Sequence, residues 1–185
     1  MSNSFPELGF FIVDLVISFL VLVFTLRILL SICRASVNNP ITQSIIKITS
    51  PIRSLLFFIP NISRFEVSSF IVIFICHFLN IYIQSTVLGS DIIIERFLIF
   101  SFKSSIFSLL NALTIIFIIL AISSWFVQSQ QLNRNPALDI IYQITNPILY
   151  FIKRIIPTSV GIIDFSVIIA LVLIHFLQNF LNIIL

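Results

Sequence analysis

The sequence predicts an all-α membrane protein. It has four transmembrane helices in two tandem repeats, each with an interfacial amphipathic helical connection on the cytoplasmic side. Three observations lead there. Of 185 residues, 59% are hydrophobic and only 9% charged, with 21 Phe and a mean hydropathy of +1.19. A soluble domain carries about 25% charged residues, so only a hydrocarbon solvent accommodates this composition. Four apolar runs are long enough to cross a bilayer, which takes about 20 residues. Finally, the chain repeats itself. Asn39-Pro40 recurs as Asn135-Pro136 and Thr49-Ser50-Pro51 as Thr145-Asn146-Pro147, both 96 residues on. Ile59-Pro60 recurs as Ile156-Pro157 at a spacing of 97. Glu66-Val67-Ser68 recurs as Asp164-Phe165-Ser166, and His77 as His175, at a spacing of 98. A repeat of this kind marks a duplicated structural unit.

The first repeat, residues 1–95, holds spans at 8–33 and 67–88 around a connection at 39–60. The second, residues 96–185, holds spans at 104–127 and 162–185 around a connection at 135–157. Lipid leaves no partner for free backbone polar groups, and no run alternates polar and apolar residues like a barrel strand, so each span is a helix. The N-terminal run lacks a basic n-region and carries Glu7 and Asp14, which fits a first span better than a cleavable signal.

Each connection is itself amphipathic. Ile41, Ile45, Ile48, Ile52, Leu55 and Ile59 recur every three or four residues, as do Ile141, Ile144, Ile148, Phe151 and Ile155. Asn39-Pro40 and Asn135-Pro136 read as a capping side chain followed by proline at the first helical position. Ser50-Pro51 and Asn146-Pro147 repeat the device, which predicts two short helices with a bend in each connection. Apolar stripes flanked by Lys47, Arg53, Lys153 and Arg154 suit the headgroup boundary. A re-entrant hairpin is the rival, at the expense of drawing those charges towards hydrocarbon.

Basic residues set the orientation. The two repeated connections hold Arg34, Lys47, Arg53, Arg64, Arg134, Lys153 and Arg154. The middle connection holds Arg96 and Lys103, offset by Asp91 and Glu95. The positive-inside rule then places the repeated connections in the cytoplasm and both termini outside. Arg34, Lys47, Arg53, Lys153 and Arg154 are candidate contacts for lipid headgroups or for a protein partner at that face.

Polar residues inside the spans are the candidate functional positions. His77, Asn80 and Gln84 share one face of the second span, and His175, Gln178 and Asn182 share the equivalent face of the fourth. Such residues are expected on the bundle interior or along a water-filled cavity. Three readings compete: hydrogen bonding between helices, a hydrated ion or solute path, and a bis-histidine haem, which no other feature supports. Asp14, Ser18 and Thr25 lie on one face of the first span, with Arg27, Ser31 and Arg34 roughly opposite. Asp14 is expected to stay wet. Arg27 is placed to snorkel towards the connection end, and as the costliest intramembrane charge it needs a partner. Ser104, Ser108, Asn111, Ser123 and Ser124 in the third span read as packing positions.

Other chemistries find no footing. Cys33 and Cys76 stand alone, without metal or disulfide spacing. There is no HExxH, GxSxG, Walker loop or paired carboxylate, and three glycines at 9, 89 and 161 make no phosphate loop. A net charge of +3 without a basic run argues against nucleic acid. The expectation is a chain with no catalytic residue, metal or cofactor, whose partners are membrane lipids, a second copy in a homo-oligomer, or a cytoplasmic protein.

Asn135-Pro136, Thr145-Asn146-Pro147, Lys153-Arg154-Ile155-Ile156-Pro157 and Gly161-Ile162-Ile163-Asp164-Phe165-Ser166 form a pattern set between spans in a four-span protein. With Arg27 ahead of Asn39-Pro40 in the first half, it resembles the YggT (YlmG) family of bacterial and plastid membrane proteins. The first half departs from the pattern, with Leu56 and Phe57 where the second has Lys153 and Arg154, and no Gly before the acidic residue. The resemblance implies an inner- or plasma-membrane protein with no established enzymatic activity. It also implies links to osmotic stress and potassium uptake, to cell division or nucleoid organisation, and to cytochrome assembly in plastids.

Overall fold

The computed structural model describes residues 4–88, 93–126, 135–156, 159–160 and 163–184. Asp91, Arg134, Pro157, Gly161 and Ile162, used above, lie outside them. Six helices follow in order: α1 Ser4–Ile32, α2 Pro40–Leu55, α3 Val67–Leu88, α4 Ile94–Phe126, α5 Pro136–Ile155 and α6 Ser166–Ile184. A two-residue antiparallel ladder, β1 Ser159–Val160 with β2 Ile163–Asp164, leads into α6.

Four helices are long and apolar enough to cross a membrane, over Gly9–Ile32, Val67–Thr86, Ile94–Ser124 and Ser166–Ile184. The chain is a multi-pass membrane protein. Because the spans alternate in direction, α2 and α5 lie at the same end of the bundle, called here the connection face. α4 begins at Ile94, ten residues ahead of the expected span, and so carries Arg96 and Lys103 in its first three turns. The charges do not end the helix because they sit near its terminus, where long side chains reach polar surroundings. Lys103 lies with its ammonium 5.9 Å from the Phe107 ring, one turn on.

α2 and α5 are each one continuous helix, where two short ones are expected from the second proline. Asn39 and Asn135 cap them as the sequence predicts, their side chains accepting from Ile41 N and Ala137 N at 3.0 Å. Pro51 and Pro147 sit inside the helices. A proline removes one backbone bond to the residue four earlier. In α2 the freed Lys47 carbonyl accepts the Ser50 hydroxyl instead, at 3.0 Å, so the helix continues through the lost bond.

Both connecting helices also divide their apolar stripes between two surroundings. Thr42, Ile45 and Thr49 of α2 are buried against the bundle, while Ile41, Ile48 and Leu55 face outward. In α5, Ile140, Ile144, Leu149 and Ile152 are buried, and Phe151 and Ile155 are exposed. The cores follow from this. Phe24, Ile28, Ile73 and Cys76 join α1 to α3. Leu110, Phe117, Leu149, Ile152, Ala170 and Ile174 join α4, α5 and α6. The third cluster crosses between the halves, with Val23, Leu30 and Ile45 against Ala112, Ile116, Ile140 and Ile144. α4 is the common element, packed on α1, α3, α5 and α6. Ser101 and Ser105 on α4 and Ser69 on α3 are fully buried. Small side chains of this kind let membrane helices approach closely. The α4 hydroxyls are satisfied by their own helix, on the carbonyls of Phe97 and Ser101.

Candidate functional site

Polar side chains gather in four places. The first is a knot at the connection face. Arg27 lies five residues before the end of α1 and is only 7% exposed. It does not snorkel. Its Nε donates to Glu66 Oε2 at 2.6 Å, and its Nη1 donates to the Thr49 hydroxyl and to Ile46 O, the latter at 3.5 Å. The inward pair wins because Glu66 is fixed just before α3, where Ser69 also donates to it at 2.8 Å. A charge at this depth is retained only when paired and hydrogen-bonded. Arg53, half-exposed, adds a weaker contact with Glu66 at 3.8 Å. A cavity of about 160 Å³ opens beside the knot, lined by Arg27, Ser31, Arg34, Thr42 and Glu66 among others.

The second is a cleft of about 230 Å³ between α1, α3 and α4, lined by Ser18, Thr25, His77, Asn80, Ser108 and Asn111 among apolar neighbours. His77 Nε2 meets Ser108 Oγ at 2.8 Å. Ser108 Oγ also lies 3.0 Å from Ser104 O of its own helix. Asn80 donates to Asp14 Oδ1 at 2.6 Å, and Gln84 donates to Asn80 Oδ1. Asp14 is exposed. Thr25 Oγ1 is buried with no hydrogen-bond partner among the described residues. Thr25 and Arg27 are two residues apart on α1, about 200° around the helix, so cleft and cavity lie on opposite faces of it.

The third is α6. Gln178 donates to Asn111 on α4 at 2.9 Å. His175 and Asn182 are exposed on the surface of the chain, not in its interior. The physical reason is that, among the described residues, α6 packs chiefly on α4 and α5, which cover one side of it. The two polar trios therefore do not meet. His77 and Gln178 both reach α4, and the two histidines do not bracket a common space as a haem ligand pair must.

The fourth is the junction of the connecting helices. Asn39, 6% exposed, donates from Nδ2 to Pro136 O at 2.8 Å and to Asp139 Oδ2 at 3.1 Å. Gln143 accepts from Ser36 N at 2.6 Å. The start of one connecting helix is thus tied to the start of the other. Arg34, Lys47, Lys153 and Arg154 are exposed at this face. The same two connections expose large aromatics, Phe57 and Phe58 in the turn after α2 and Tyr150 and Phe151 on α5, between 63% and 86% exposed.

The CCB3/YggT family model matches this chain twice, over residues 7–87 and 99–185, once in each half. The chain belongs to the CCB3/YggT family. It is 29% identical over 174 residues to the "Uncharacterized protein in proC 3'region" of Vibrio alginolyticus, covering 92% of this chain and 91% of that one. It is 27% identical over 161 residues to an "Uncharacterized protein" of Haemophilus influenzae, covering 86% and 83%. It is 27% identical over 170 residues to the "Uncharacterized protein YggT" of Escherichia coli K12, covering 89% and 84%. No solved structure matches it.

For this CCB3/YggT chain, sequence reasoning does not single out Glu66 or Thr49 as site residues. The recurrence of Glu66 as Asp164 was the available signal for the first. Among the described residues, no group of three or more His, Cys, Asp or Glu could hold a metal ion.

Proposed function

We propose that the chain is a non-enzymatic protein of the bacterial inner (plasma) membrane that serves the osmotic-stress response or ion (potassium) homeostasis. Its connecting helices lie on the cytoplasmic side and both termini outside, as the distribution of Lys and Arg requires. The observation that carries the reading is the α1–α3–α4 cleft. It is lined by Ser18, Thr25, Asn80, Ser108 and Asn111, with the Asp14 carboxylate bonded to Asn80. The Asn80, Asn111 and Ser108 oxygens are engaged by Gln84, Gln178 and His77, which leaves the Ser18 and Thr25 hydroxyls to face the cleft. Oxygen donors of this type replace the hydration shell of an alkali cation. The unpartnered Thr25 hydroxyl supports the same reading. The test is potassium flux in proteoliposomes, with His77→Leu and Asp14→Asn variants beside the wild type. Flux in the wild type that falls at least tenfold in both variants supports the reading. No flux in the wild type, or flux unchanged in the variants, ends it.

A second reading, an assembly or scaffold factor for division or cytochrome maturation, is favoured by the aromatic side chains exposed beside Lys153 and Arg154. Aromatics flanked by bases also suit a headgroup layer, so lipid is the competing occupant. Charge reversal at both positions separates the two. Loss of a captured membrane-associated protein with insertion intact favours the scaffold, and an unchanged capture leaves the helices as lipid anchors.

A further inference from the structure

α6 presents an unusual surface for a helix that crosses a membrane. His175 is its tenth residue of 19 and so lies near mid-membrane. Asn179 and Asn182 follow it by about 6 and 10 Å along the helix, all within a hydrocarbon layer about 30 Å thick. The three side chains are exposed and make no hydrogen bond among the described residues. Only 11% of the apolar stretch of α6 is buried, against 39% for α1. A polar group left bare in lipid is strongly unfavourable, and His175 and Asn179 lie too deep for their short side chains to reach the headgroups. Something must cover this face.

Its spacing says what. Ile168, His175 and Asn182 stand seven apart, and Val172 and Asn179 stand seven apart between them. A 3.5-residue repeat of this kind is the seam of two helices crossing at about 20°. The seam is also complementary to itself. An amide both donates and accepts, and a neutral imidazole carries one donor and one acceptor. Two copies inserted in the same orientation are related by a twofold axis along the membrane normal, which sets each residue opposite its own counterpart.

We propose that α6 is the interface of a homodimer, with His175, Asn179 and Asn182 each hydrogen-bonded to the same residue of a second copy. The dimer is independent of whether the chain moves ions. It accounts for the polar residues that the fourth span carries on its outer side and leaves the α4-facing side, with Gln178, to hold the bundle together.

The test uses the full chain with Cys33→Ser and Cys76→Ser, reconstituted in liposomes, and single cysteines at two exposed neighbours on α6. Val172→Cys lies on the seam and should form a disulfide-linked dimer under mild oxidation. Leu173→Cys, about 100° away, should not. In the same lipid, His175→Leu, Asn179→Leu and Asn182→Leu together should raise the dimer dissociation constant about 25-fold, taking about threefold per hydrogen-bonded pair. The leucines face lipid in the free chain, and the cysteine pair decides the matter even if the triple variant inserts poorly. A monomer at every protein density overturns the proposal. So do equal cross-linking at 172 and 173, an undiminished dimer in the triple variant, or cross-links from Val172→Cys in native membranes that join only a different protein.

Discussion

Changing Glu66 to Gln removes the anion that Arg27 faces and leaves the side-chain shape nearly intact. The Arg27 and Glu66 side chains are 8% and 13% exposed, so solvent does little to screen them. Without the carboxylate, Arg27 keeps the Thr49 hydroxyl and the long contact to Ile46 O, neither of which carries charge. Arg53 cannot compensate, being a cation itself. Breaking one side of a buried pair costs about 3–5 kcal/mol, because the survivor stays desolvated. For a chain of this size that is a fall in melting temperature on the order of 10 °C. Removing both charges together, as Arg27→Met with Glu66→Leu, avoids the unpaired survivor and should return stability to within about 1 kcal/mol of wild type. The assay is unfolding of the purified protein in one fixed detergent, with both single variants and the double variant as a cycle. A loss under about 1 kcal/mol for Glu66→Gln would refute the reasoning. So would a double variant no better than the worse single one.

Three further outcomes follow from the contacts described. Asn39→Ala should cost more than Asn135→Ala. Both lose a helix cap worth about 1 kcal/mol, but Asn39 also loses its bond to Asp139, worth about 1.5–3 kcal/mol with a charged acceptor; comparing the two melting curves checks this. In a double-mutant cycle, Gln178→Leu and Asn111→Leu should show coupling of about 0.6 kcal/mol, read from unfolding, and coupling near zero would mean that the bond does not form in lipid. Cys33, just beyond α1, has its thiol pKa raised by burial. Only the thiolate reacts, so maleimide labelling of Cys33 should be slow at neutral pH and accelerate as pH rises, relative to a cysteine placed at exposed Val37.

The sequence made the spans legible for a simple reason. A hydrocarbon solvent imposes a minimum apolar length, and α3 was readable to its terminal residues, Val67 and Leu88. The start of α4 was not, because Arg96 and Lys103 interrupt the run although charges near a helix end do not stop it. Pro51 read as a break, yet it removes a single bond, and the Ser50 hydroxyl takes over the orphaned carbonyl. The caps at Asn39 and Asn135 were visible because capping is local. Tertiary pairing is not local. Arg27 plainly needed a partner, but nothing in periodicity selects Glu66, 39 residues away, over other acids. The polar trios were found from spacing, which gives the face of a helix but not its neighbour. His77 thus turned out to meet Ser108, and His175 to look outward.

The order of the chain gives the Arg27 knot a further meaning. Arg27, Thr49 and Glu66 all precede α3, so every part of this lock is synthesised before the second half. The early half can shelter its own charge while still tethered to the translocation machinery. α4 arrives next and supplies Ser108 for His77, and α6, the last helix, settles chiefly on α4 and α5. Biosynthesis therefore runs from the most enclosed span to the least, and the costliest charge finds its shelter without the second half.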